Sequence, residues 1–153
     1  MRMAGLWFED LSVGQIFDHP IHRTVTESDN LLFSALTHNP ARLHLDAEYM
    51  QGTEFGRIIV NSTFVLGLMV GVSVGETTLG TAVANLGWDD VRFPLPVFVG
   101  DTLHIQTEVL DLRDSRSRPD QGIVTFAHRA YNQEEALVAH CKRTGLQRKR
   151  PQG

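Results

Sequence analysis

Asn61-Ser62-Thr63-Phe64-Val65-Leu66-Gly67-Leu68-Met69-Val70-Gly71-Val72-Ser73-Val74 decides the fold of this chain. A polar start leads into an apolar run without a charged side chain. The run reads as a helix from about Ser62 to Val74, buried on all sides rather than along one stripe. It is shorter than the roughly 20 residues that span a bilayer, and Asn61, Ser62, Thr63 and Ser73 interrupt it, so a membrane is not its partner. Gly67, Gly71 and Gly75 recur at spacing four and form one stripe, open to close approach by a sheet or a second helix. Each costs roughly 1 kcal/mol relative to alanine, which packing must offset. Gly75 is a candidate terminator.

Downstream of that helix the pattern changes to period two. Ala82 to Phe93 reads as a strand with a bulge at Gly87. Leu103 to Leu112 alternates throughout. Ile123 to Tyr131 puts Val124, Phe126, His128 and Ala130 on one face. Asn132-Gln133-Glu134-Glu135 is a hairpin connection, and Ala136 to Gln147 completes the meander. The polar stretch Arg113 to Gln121 reads as a mobile, solvated loop carrying Arg113, Arg116 and Arg118. A buried helix followed by hairpin-linked strands implies an α+β fold, with an antiparallel sheet wrapped around the central helix. One helix covers only part of such a sheet. A homodimer with a continuous sheet would protect the edges.

Upstream, the N-terminal third reads as helical and loop-rich. Thr26-Glu27-Ser28-Asp29 is a helix start, with Thr26 as cap and Asp29 three residues on. Leu31, Leu32, Ala35 and Leu36 follow at helical spacing, and Pro40 ends the helix because it lacks an N–H. Asp46 caps a second short helix with Glu48 in its first turn. Between them lies Thr37-His38-Asn39-Pro40-Ala41-Arg42-Leu43-His44, a turn that sets an amide, Asn39, near an imidazole, His44. Those two groups can hold a water. The first N–H groups of the buried helix, at Ser62, can receive a developing oxyanion. Plainer roles exist for each: His44 as a core or surface histidine, Asn39 as a helix C-cap in the left-handed region, and Ser62 as an N-cap.

The 153 residues suit one domain with a real core. A net charge of −4 argues against a nucleic-acid or anionic-membrane surface. Cys141 is the lone thiol, which fits a reducing cytoplasm. Met1 to Asp10 lacks the apolar core of a signal peptide. His19, His22 and His38 have no metal-ligand spacing with the cysteine, so zinc is not expected. His104 and His128 read as sheet residues, and Arg148-Lys149-Arg150 as an exposed, frayed basic tail.

From about Trp7 to Arg148 the chain resembles the MaoC-like dehydratases, or (R)-specific enoyl-CoA hydratases, of the hotdog fold. Leu43-His44-Leu45-Asp46 and Phe93-Pro94-Leu95-Pro96-Val97-Phe98-Val99-Gly100-Asp101 carry the resemblance most specifically. It implies a single MaoC-like hotdog domain over 1–153 that hydrates a 2-enoyl thioester, with no metal or redox cofactor and with CoA as part of the substrate. It also implies a catalytic histidine, an acid five residues before it, and a backbone N–H that binds the thioester oxygen. His44 stands at the histidine position, and Ser62 where a glycine is usual. Asn39 replaces the acid, Ala41 the family's asparagine, and Arg42 its proline. An amide cannot take a proton, so His44 becomes the base.

The same departure resembles a narrower branch that acts on mesaconyl-, itaconyl- or methylmalyl-type CoA thioesters. A neutral Asn39 would not repel an acyl carboxylate, which Arg42 or Arg57 could pair. Arg42, Arg57 and Asn61 are therefore candidate substrate-binding residues. The arginines of the 113–121 loop are further candidates for the CoA phosphates. Two rival functions are a hotdog thioesterase, disfavoured because Ser62 to Val74 contains no acid, and a non-catalytic acyl-CoA-binding subunit.

Overall fold

A computed structural model describes residues 5–152; Met1 to Ala4, part of the segment weighed as a signal peptide, lie outside them. After a short 3-10 turn at Phe8–Asp10 come β1 (Ile16–Thr24), α1 (Glu27–Leu36), α2 (Arg42–Leu45), α3 (Ala47–Gln51) and α4 (Ser62–Thr77). Four more strands follow: β2 (Ala82–Arg92), β3 (Thr102–Asp114), β4 (Gln121–Tyr131) and β5 (Leu137–Arg148). The five strands form one antiparallel sheet in the order β1-β3-β4-β5-β2, and α4 lies against β1, β3, β4 and β5. This is the α+β architecture that the sequence predicts.

The strands follow the alternation closely. Leu103, Ile105, Thr107 and Val109 of β3 are buried in turn, as are Val124, Phe126, His128 and Ala130 of β4. The β2–β5 register slips between Asn85 and Gly87, where a bulge was predicted. β1 is the strand missed by sequence. Its run Ile-Phe-Asp-His-Pro-Ile-His-Arg-Thr contains a proline, tolerated because β1 is an edge with irregular pairing between Asp18 and His22.

The central helix differs from expectation in three ways. It passes through Gly75 and ends at Thr77, where the Thr78 and Leu79 N–H groups both reach the Val74 carbonyl. The longer helix contains an acid, Glu76. It is also not buried on all sides: Val65, Met69, Ser73 and Thr77 face the sheet, while Gly67 and Gly71 are exposed. A methyl group added at Gly67, Gly71 or Gly75 would meet no described atom within 4 Å. One sheet covers one side of a helix, so the glycine stripe faces away from it. No described helix is long and apolar enough to cross a membrane.

A buried polar chain crosses the sheet. Arg143 Nε donates to His128 Nε2 at 3.1 Å, so the neutral His128 carries its hydrogen on Nδ1 and donates to Thr107 Oγ1 at 2.9 Å. The Thr107 hydroxyl then donates to His19 Nε2 at 2.9 Å, and His19 Nδ1 donates to Glu76. Burial, with the adjacent Arg143 charge, pushes the His128 pKa down to about 3. His128 is thus more than a sheet residue. The C-terminal basic run is docked: Lys149 pairs with Asp114, and Arg150 with Asp10.

Candidate active site

α1 supplies the platform for the water-holding segment. A capping box starts it, with Asp29 N–H on Thr26 Oγ1 at 3.2 Å and Thr26 N–H on the Asp29 carboxylate at 2.8 Å. It stops at Leu36, ahead of Pro40. His38 adopts φ +55° and donates its N–H to Ala35, while the Asn39 N–H reaches Ser34 at 2.9 Å. That pattern is a Schellman closure with His38 in the left-handed position considered for Asn39. The Asn39 Oδ1 instead accepts the Ala41 N–H at 3.0 Å, an Asx turn. With that oxygen engaged, the free polar hydrogens of Asn39 are on Nδ2.

His44 sits in the one-turn helix α2, where sequence gave only a turn. Its side chain is buried, with the residue 8% exposed. Nδ1 lies 2.8 Å from the Ile59 carbonyl. A carbonyl only accepts, so Nδ1 carries the hydrogen and Nε2 keeps its lone pair, which has no partner among the described residues. Asp46, two residues on, is the N-cap of α3, accepting the Tyr49 N–H at 2.9 Å. That N–H, with the Arg42 guanidinium, holds the Asp46 carboxyl below its usual range. It is an engaged carboxylate rather than a spare base.

At the start of α4 the cap is Asn61, not Ser62. The Asn61 Oδ1 accepts the Thr63 N–H at 3.1 Å, and its carbonyl accepts those of Phe64 and Val65. The remaining first-turn N–H, that of the exposed Ser62, has no partner among the described residues. Ser62 lines an apolar cleft of about 360 Å³ with Phe55, Ile59, Val65, Phe93 and Leu95. Ile59 thus joins the two candidate groups: its carbonyl holds the His44 ring, and it lines the same cleft as Ser62.

The other candidates separate. Arg42 is paired with Asp46 at 2.8 Å and stacked on Tyr49. Arg57 is exposed, lies 3.7 Å over the Phe98 ring, and forms no ion pair among the described residues. It lines a second cleft of about 300 Å³ with Glu27, Gln51 and Ile58. Asn61 is buried, with its side-chain oxygen used by the cap. Arg113, Arg116 and Arg118 are exposed and line neither cleft.

One residue that joins these candidates was missed. Asn30 is 1% exposed; its Nδ2 donates to the His44 carbonyl at 3.0 Å and its Oδ1 accepts the Asn61 N–H at 2.9 Å. The leucine spacing pointed the wrong way. Asn30 and Ser34 form the buried face of α1, whereas Leu31, Leu32 and Leu36 are exposed, Leu36 by 71%. Two polar residues at spacing four, Asn30 and Ser34, were the available signal.

Residues 10–132 match the MaoC like domain, and the chain belongs to that family. It is 34% identical over 96% of its length to a mesaconyl-CoA hydratase of Cereibacter sphaeroides, covering 42% of that protein. It is 32% identical over 95% of its length to a beta-methylmalyl-CoA dehydratase of Chloroflexus aurantiacus, covering 41%. The chain therefore spans about two-fifths of the length of these relatives. A Mycobacterium tuberculosis protein with a double hotdog fold superposes with a TM-score of 0.87 at 26% identity, over all of this chain and 47% of the other. The fold is the hotdog.

Proposed function

We propose that the protein is a hydro-lyase that adds water reversibly to the double bond of a short, branched or carboxylated enoyl-CoA. The observation that carries this is a histidine whose tautomer leaves Nε2 free and whose ring is held by the Ile59 carbonyl, where Ile59 in turn lines, with Ser62 and its unpartnered N–H, an apolar cleft that His44 and Asn39 do not themselves line. In hydration the thioester oxygen takes the Ser62 N–H, which stabilises enolate character as the β-carbon is attacked. The water oxygen bonds to the β-carbon while its proton passes to His44 Nε2. His44 then returns a proton to the α-carbon, so the imidazole ends as it began. Asn39 Nδ2 donates to the water oxygen and orients it. No metal or redox cofactor takes part, and CoA enters only as part of the substrate.

The two relatives named above act, by name, on mesaconyl-CoA and methylmalyl-CoA, which supports a carboxylated acyl group. Arg57, which pairs with no anion among the described residues, suits that carboxylate better than Arg42, which already has Asp46. The exposed β2 edge with Leu86 and Trp88, and the open glycine stripe of α4, support a homodimer in which β2 pairs with its counterpart. The single buried thiol of Cys141 supports a reducing cytoplasm.

The thioesterase reading now has to account for Glu76, since α4 does contain an acid. Glu76 lies 14 residues beyond Ser62, roughly 20 Å along the helix, and is held by His19. The test adds crotonyl-, mesaconyl- and itaconyl-CoA and follows enoyl-thioester absorbance beside a thiol reagent. Loss of absorbance without thiol release is expected. Thiol release would make the protein a thioesterase, and tight binding without turnover would make it a non-catalytic subunit.

A further inference from the structure

We propose that Asn30 is the positioning residue of the site, fixing the His44 imidazole against the first turn of α4 through one buried amide. The proposal rests on the hydratase reading for its consequence in rate, but not for its geometry.

His44 and Ser62 belong to separate segments, α2 and the start of α4, with 17 intervening residues in sequence. Four hydrogen bonds join the segments. The Ile59 N–H donates to the Leu43 carbonyl at 3.0 Å and His44 Nδ1 to the Ile59 carbonyl at 2.8 Å. The other two both run through Asn30, which donates to the His44 carbonyl and accepts from the Asn61 N–H. The backbone atoms it grips belong to the base itself and to the residue just before the oxyanion donor. Asn30 is anchored by a helix with a capping box at one end and a Schellman closure at the other.

The chemistry requires an amide. One side chain must present a donor to a carbonyl and an acceptor to an N–H, at the same depth and without charge. Aspartate keeps the acceptor and loses the donor. Serine is too short to reach both. Leucine would leave two buried backbone groups unpaired. The Asn30 side chain has no partner other than these two backbone groups among the described residues, so its place in the core is explained by what it holds together.

The test is Asn30→Asp, with folding checked by circular dichroism and two readouts in the full chain. The first is the histidine ring 15N spectrum, in which wild-type His44 gives a fixed Nδ1–H tautomer. Asn30→Asp is expected to mix the tautomers or broaden that signal. The second is turnover of enoyl-CoA, with kcat expected to fall roughly 10–100-fold while KM stays within about threefold, because misplacement of a base costs rate more than affinity. An unchanged His44 ring signal in folded Asn30→Asp overturns the proposal, whatever the rate does. A changed ring signal in a protein whose wild type hydrates none of the thioesters supports Asn30 and sinks the hydratase reading instead. If Asn30→Asp does not fold, Asn30→Ser, which leaves room for a water, is read the same way.

Discussion

Two buried polar systems divide this molecule, and they end differently. The chain Arg143–His128–Thr107–His19–Glu76 crosses four strands and reaches α4 with every donor aimed one way, closing on a carboxylate. The junction of Asn30, His44, Ile59 and Asn61 is just as directional, yet it stops short. The His44 Nε2 lone pair and the Ser62 N–H have no partner among the described residues. Burial of polar groups without partners is costly, and the chain across the sheet carries that cost at one buried atom, Arg143 Nη2, which has no partner among the described residues. The junction thus leaves one acceptor and one donor without a partner, the donor at an apolar cleft, and it is this pair that the proposed function uses.

The largest effect that can break this division is in stability against pH. His128 is neutral when folded, with its pKa at about 3 against 6.5 unfolded. Below about pH 6.5 the unfolded chain binds a proton that the folded chain refuses. The contribution of His128 is whole above pH 6.5 and is lost as pH falls toward 3, by up to roughly 1.4 kcal/mol per pH unit. Urea unfolding at pH 7.5, 6 and 5 should show this slope, and His128→Gln should flatten it by about one proton. A slope unchanged in His128→Gln would remove the chain from the scaffold.

A smaller effect belongs to the site. Asn39→Asp puts a carboxylate oxygen where Nδ2 now stands. A like charge near an acyl carboxylate costs roughly 1–4 kcal/mol at surface-like dielectric. The KM for mesaconyl-CoA should therefore rise by about tenfold or more, with that for crotonyl-CoA much less affected. Equal changes for both would remove the basis for a dicarboxylic substrate. The smallest effect lies between the two systems, at the exposed left-handed His38. His38→Gly should stabilise the fold by up to about 1 kcal/mol, leaving turnover unaltered; a fall in melting temperature would contradict the Schellman reading.

What the sequence made legible follows from where physics is local. Strands β2 to β5 could be read because a half-buried strand repeats every two residues, and the bulge at Gly87 because glycine marks one. The caps at Thr26 and Asp46 are short-range bonds with their partners three residues away. β1 escaped because Pro20 and its histidines break the pattern, and an edge strand tolerates both. The length of α4 escaped because Gly75 has no steric need to end a helix. Among the candidate residues, His44, Asn39 and Ser62 stand at positions that the family resemblance marks, whereas Asn30 does not. Its two partners are 14 and 31 residues away, and leucine spacing on α1 suggested the opposite face. Long-range polar pairing leaves no period in a sequence.

The most direct measurement is the rate of enoyl-thioester loss with mesaconyl-CoA and crotonyl-CoA for wild type beside His44→Ala, at matched folding by circular dichroism. Removal of the proposed general base should lower kcat by roughly 10²–10⁴-fold while acyl-CoA still binds. Turnover by His44→Ala at the wild-type rate would contradict the account.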